Sequence, residues 1–192
     1  MKMKKLLFTL SLLLVTFIAN SQAQIIIFRT FEDFQNENGE ELDSYRHTIT
    51  SMGNVNMVFK KGRKKVKINT KEFWGLIYKD ALFRIDKKAR QPVRLISVGD
   101  IMYYENGSAH LTMLKDNTNQ GFFSKGSSCS VSKSINSEII NIPKLLSSSN
   151  EDPFNKFMKD NPDSSDLFEC MKDDLEIQNV RKCVQEFHNE DE

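Results

Sequence analysis

Histidine is scarce in this chain, and the scarcity closes off much chemistry. The three histidines, His47, His110 and His188, lie far apart. None stands at metal-ligand spacing from a cysteine or another histidine, so a sequence-local zinc site is not expected. A phosphate loop, a GxSxG elbow and an HExxH helix are also missing. No internal repeat supports a solenoid or a propeller. The nearest approach to a calcium loop, Asn161 to Asp166, contains Pro162 and lacks a central glycine. The carboxylate runs Glu40-Glu41-Asp43, Asp173-Asp174 and Glu190-Asp191-Glu192 read as solvated surface or helix caps. No catalytic residue, metal or other cofactor is expected from these patterns.

Long apolar runs are missing too, with one exception at the N-terminus. Lys2, Lys4 and Lys5 precede an almost unbroken apolar run, Leu6 to Ile18, and then Ser21-Gln22-Ala23. Basic, apolar and small-x-small segments in that order make a secretory signal peptide. The run is short of the ~20 residues that span a bilayer, and no later stretch reaches that length. The expected mature chain begins at Gln24, is soluble and has no transmembrane segment after cleavage. It is expected to be periplasmic or secreted.

Overall charge is nearly balanced, at +1 for the whole chain. Its distribution is not. Residues 55–94 hold 13 Lys/Arg against 3 Asp/Glu, whereas residues 151–192 hold 5 against 13. Such an asymmetry suits two solvated surfaces, an acidic tail lying near a basic sheet, or a basic face for an anionic partner. An exported chain is not expected to meet nucleic acid.

An oxidising compartment permits disulfides. Cys170 and Cys183 fall in one short helical segment and are expected to pair. Cys129, in a Ser-rich stretch, is then free or joined to another chain.

Periodicity divides the rest. Ile25 to Phe28 reads as a strand. Thr30 caps a helix of about two turns that could end at Gly39. Residues 40–55 carry no clear pattern. Asn56 to Lys61 and Lys64 to Asn69 form strands around a Lys61-Gly62-Arg63-Lys64 turn, with Val66 and Ile68 alternating with lysines. Residues 73–85 make a hairpin about Lys79-Asp80. The VRLISV segment is a further strand, and residues 101–114 read as a hairpin about Asn106-Gly107. Residues 115–137 read as a long loop, and Ser134 to Ile142 as a last strand. Helical spacing returns in Phe154, Phe157 and Met158, in Leu167, Phe168 and Met171, and in Ile177, Val180, Val184 and Phe187. Cys170–Cys183 would close an αα-hairpin.

The segment FWGLIYKDALFRI has the shape of a WG repeat, but in a single copy. More broadly, the chain resembles small exported proteins common in Bacteroidota-type Gram-negative bacteria. The resemblance rests on the Ser-Gln-Ala signal end, the TFEDF and FWG…ALFRI segments, YYENG, SINSEI and the NVRKCVQEFH terminus. It implies compartment and architecture, and a pyroglutamate at Gln24. It lends no catalytic residue.

The expected fold is α+β: an antiparallel β-meander, a curved sheet of six or more strands, followed by a small C-terminal helical hairpin. The expected divisions are a signal peptide at 1–23, a β-rich domain at 24–142, a linker at 143–152 and a helical subdomain at 153–192. The expected function is that of a non-enzymatic binding protein of the envelope, contacting an anionic component or a protein partner. Its contact surface would be Lys60, Lys61, Arg63, Lys64, Lys65 and Lys67. The alternatives are a hydrolase or thiol enzyme using Cys129 with His110, or an effector- or immunity-type protein with one cognate partner.

Overall fold

The dominant element is an antiparallel sheet whose central strands follow one another through tight turns. A computed structural model describes residues 25–118, 129–146 and 151–189, with side chains of the last segment described from residue 155. The expected signal peptide lies outside the described residues. Strands are β1 (Ile25–Phe28), β2 (Glu40–Leu42), β3 (Ser44–Ser51), β4 (Asn54–Lys61), β5 (Lys64–Asn69), β6 (Gly75–Tyr78), β7 (Ala81–Asp86), β8 (Gln91–Ser97), β9 (Met102–Asn106), β10 (Cys129–Ser132) and β11 (Ile140–Asn141). Helices are α1 (Phe31–Gln35), α2 (Gly107–Asp116), α3 (Ile142–Leu146), α4 (Glu151–Asp160), α5 (Ser165–Met171) and α6 (Ile177–Asn189).

The α+β class with antiparallel pairing is present, but the strands form two sheets. One has eight strands in the order β11-β10-β9-β8-β7-β6-β1-β2, and the other has three in the order β3-β4-β5. Turn chemistry explains the hairpins. Lys79 and Asp80 take φ of 49° and 61°, and Met52 and Gly53 take 47° and 72°. Both positions positive is the type I′ pattern, whose twist suits antiparallel strands. At the β4–β5 turn only Gly62 is positive, at 60°, which fits a type II′ turn led by glycine.

The expected hairpin at residues 101–114 is instead a strand followed by a helix. Asn106 caps α2, its Oδ1 accepting from the Ala109 N–H at 3.2 Å. Asn suits both a hairpin turn and an N-cap. Gly107 serves close packing here, since a Cβ there would fall 2.5 Å from the Pro92 carbonyl. His110 therefore lies on a helix rather than a strand. Four further expectations change. The helix begun by the Thr30 capping box ends at Gln35, well before Gly39. The patternless 40–55 region supplies β2 and β3. The expected loop at 115–137 contains β10, and the strand expected at 134–142 shrinks to Ile140–Asn141. Of the residues expected as a linker, 143–146 lie in α3, whose Leu145 is buried, 151–152 lie in α4, and 147–150 lie outside the described residues.

Two apolar clusters cover one face of the large sheet. In the first, Ile27, Leu76, Phe83 and Ile85 meet Tyr45, Met57, Phe59 and Ile68 of the small sheet, with Leu111 of α2. In the second, Tyr103 and Val131 meet Leu145, Phe157, Phe168, Met171 and Val180 of the helices. Cys170 and Cys183 form the expected disulfide between α5 and α6. Among the described residues, no helix is long and apolar enough to cross a membrane.

Candidate functional site

The basic hairpin is split by strand alternation into two groups. Met57, Phe59 and Ile68 point into the core, so their register neighbours Asn56, Val58, Lys60, Lys65, Lys67 and Asn69 point outward. Lys60 stands directly opposite Lys65, and Lys67 opposite Val58. Lys65 and Lys67 are exposed and Lys60 is half-buried. The adjacent β3 adds exposed His47, opposite Val58, and exposed Ile49, opposite Asn56. One face of the small sheet thus presents three lysines, which flank the buried Val58.

Lys61 and Lys64 pair with each other on the alternate face, at the hairpin end. Lys61 is neutralised there, its Nζ lying 3.1 Å from Glu40 Oε1, while Arg29 reaches Glu40 Oε2 at 3.0 Å. The Lys61 hydrogen bond, helped by Arg29, holds the Glu40 carboxyl below its usual range despite partial burial. Arg63 occupies the turn, where the Gly62 N–H is held by Asp43 Oδ2 at 2.8 Å. The six expected contact residues are therefore not one surface. Lys60, Lys65 and Lys67 share a face, and Lys61 belongs to an ion-pair network.

Like charges directly opposed across strands destabilise a sheet. Yet among the described residues, no carboxylate lies within 4.0 Å of Lys60, Lys65 or Lys67. The acidic C-terminal helices do not supply one. Their apolar faces pack on Tyr103 and Val131, on strands of the other sheet.

The second expected cluster, Cys129 with His110, is brought together in a way sequence could not show. Successive registers align Leu76, Phe83, Arg94, Glu105 and Cys129 in a row across the large sheet. The row passes from one apolar cluster to the other through a charged centre. Glu105 is fully buried. Arg181 of α6 grips it with Nε to Oε1 at 2.6 Å and Nη2 to Oε2 at 2.7 Å. The His110 Nε2 lies 2.8 Å from Oε2, and Arg94 Nη1 lies 3.0 Å from His110 Nδ1. Arginine only donates, so Nδ1 accepts and the ring proton on Nε2 goes to Glu105. Burial opposes ionisation of Glu105, but the Arg181 and His110 hydrogen bonds outweigh it and bring the carboxyl to about 2.

Cys129 joins this centre through Tyr103, whose hydroxyl lies 3.3 Å from Sγ and 3.2 Å from Glu105 Oε1. Burial pushes the Cys129 thiol up, and the Glu105 charge adds to that, so the thiolate needed for nucleophilic attack is disfavoured. Contact between Cys129 and His110 thus runs through Tyr103 and Glu105. The hydrogen bonds to Glu105 join α2, through His110, and α6, through Arg181, to the sheet.

Sequence reasoning missed Glu105, Arg94 and Arg181 altogether. The one available signal was Glu105 standing in the same alternation as Ile101 and Tyr103, a charge at an inward position. No protein-family model, curated protein or solved structure matches this chain.

Proposed function

We propose that this is an exported, non-enzymatic binding protein of the bacterial envelope. Its outward β3–β4–β5 face, centred on Lys60, Lys65 and Lys67, contacts an anionic envelope component. The observation that carries the reading is electrostatic. Three cations share one sheet face, two of them directly opposed, with no carboxylate within 4.0 Å among the described residues. Such a face gains by meeting external anions, which relieve the repulsion between its own charges. The buried, raised thiol of Cys129 favours binding over thiol catalysis.

Crosslinking the mature protein in its native envelope, then recovering it at low and high salt, tests this reading. An anionic glycan or lipid recovered at low salt and lost at high salt is the expected result, because exposed ion pairs are screened. A discrete protein that survives high salt would overturn it.

A further inference from the structure

Arg84 is a buried cation without a counter-ion. It lies on β7, next to Phe83 in sequence and so on the opposite sheet face from the Glu105 row. It is 5% exposed. Its guanidinium carbon lies 5.3 Å from the Trp74 ring centre and 5.8 Å from that of Tyr104. Nη1 donates to Tyr104 Oη at 3.2 Å and to the Ser137 carbonyl at 3.0 Å, which uses both its hydrogens. Nε is shielded and has no partner. Nη2 makes no hydrogen bond either, and no carboxylate lies within 4.0 Å of the guanidinium.

Buried charges in proteins are paired, and arginine cannot escape by losing its proton. The two carboxylates nearby are already engaged. Asp86 Oδ1 accepts from the Lys88 and Ala89 N–H groups at 2.8 and 3.0 Å, and Glu138 pairs with Lys88 Nζ. The aromatic faces of Trp74 and Tyr104 compensate part of the charge. They leave Nη2 without an acceptor, while Nε is sealed from solvent.

Arg84 also lines a cavity of about 390 Å³, together with Trp74, Ile85 and Ile139 among others. Small-molecule sites start at roughly 300 Å³. Asn136 is fixed at its wall by the Trp74 Nε1–H, which donates to Oδ1 at 2.9 Å. Arg84, Lys87 and Lys88 against Asp86 and Glu138 leave the lining with one net positive charge.

We propose that this cavity binds a small organic carboxylate, held by the Arg84 guanidinium through Nη2, with its apolar body against Trp74 and Ile139. A monoanion fits the single excess charge better than a phosphate monoester, which carries nearly two charges at neutral pH. The site shares no residue with the basic β4–β5 face, so either can fail without the other.

Trp74 is the chain's single tryptophan and lines this cavity, so a fluorescence change in the folded protein comes from a residue of the site. The probe is 3-phenylpropionate, with its neutral amide as control. The expected result is a saturable change with the acid and at least about tenfold weaker binding of the amide. Arg84→Lys, which keeps the charge and loses the planar guanidinium, should weaken the acid about tenfold. Should that variant not fold, the wild-type protein still decides. The Arg84 guanidinium N–H resonances must shift on titration. No saturable change up to about 10 mM, an amide that binds as well as the acid, or unmoved guanidinium resonances would overturn the proposal.

Discussion

Removing Arg181 from the Glu105 centre is the sharpest perturbation of this fold. Arg181→Met keeps most of the aliphatic length on α6 and leaves a fully buried carboxylate with only His110 and Tyr103 beside it. Glu105 falls from 4.5 to about 2 in the folded protein. At about 1.4 kcal/mol per pH unit, the shift, which Arg181 and His110 together produce against burial, corresponds to roughly 3 kcal/mol. The Arg181 side chain is 38% exposed, and screening there reduces the figure. A loss of about 2–3 kcal/mol at pH 7 is expected, close to the lower end for a broken buried pair.

The sign of the pH dependence follows from the lowered value. Stability from ionised Glu105 is fully present above about 4.5 and is lost as pH falls towards about 2. The gap between wild type and Arg181→Met should therefore be widest at neutral pH and close across that window. Denaturant titrations followed by Trp74 fluorescence at several pH values between neutral and acid measure it. A variant within about 0.5 kcal/mol of wild type at pH 7, or a gap undiminished near pH 2.5, would refute the reasoning.

Three further outcomes follow from named contacts. Replacing Cys170 and Cys183 together by serine should cost about 3 kcal/mol on the chain-entropy estimate, read by comparing denaturation of the variant and the oxidised parent. Cys129 should react with iodoacetamide far more slowly in the folded than in the unfolded protein, because its thiol is buried and its pKa raised; equal rates would mean the thiol is open. Gly107→Ala should destabilise despite the helical preference for alanine of up to about 1 kcal/mol, because the new Cβ meets the Pro92 carbonyl at 2.5 Å; an unchanged or raised Tm would contradict that packing.

Local patterns carried the parts of the fold that are locally determined. Val66 and Ile68 alternating with lysines marked β5, the Lys79-Asp80 turn marked β6–β7, and spacing alone paired Cys170 with Cys183. Asn106 misled because one side chain serves two structures, and only the approach of Pro92 to Gly107 decides between them. β10 sat in a polar, Ser-rich stretch that pairing with β9 nevertheless draws into the sheet.

The polar centre was illegible for a different reason. Glu105 and Arg181 stand 76 positions apart, and their meeting depends on how α6 lies on the sheet. The lysine cluster was legible as composition. Its division was not, since which lysines share a face depends on register: Lys60 with Lys65 outward, Lys61 with Lys64 on the other side. Arg84 reads as one cation in a basic stretch until Trp74 and Tyr104 close over it.

The most direct test of the basic-face proposal is binding to lipopolysaccharide micelles across a salt series, wild type against Lys60→Gln/Lys65→Gln/Lys67→Gln. Each substitution keeps a polar side chain on an outward position, so the fold should be retained. The proposal predicts wild-type binding that weakens steeply between low salt and physiological ionic strength, where the Debye length is about 8 Å, and a triple variant that binds at least about tenfold more weakly at low salt. Equal binding by the two proteins, or wild-type binding indifferent to salt, would contradict it.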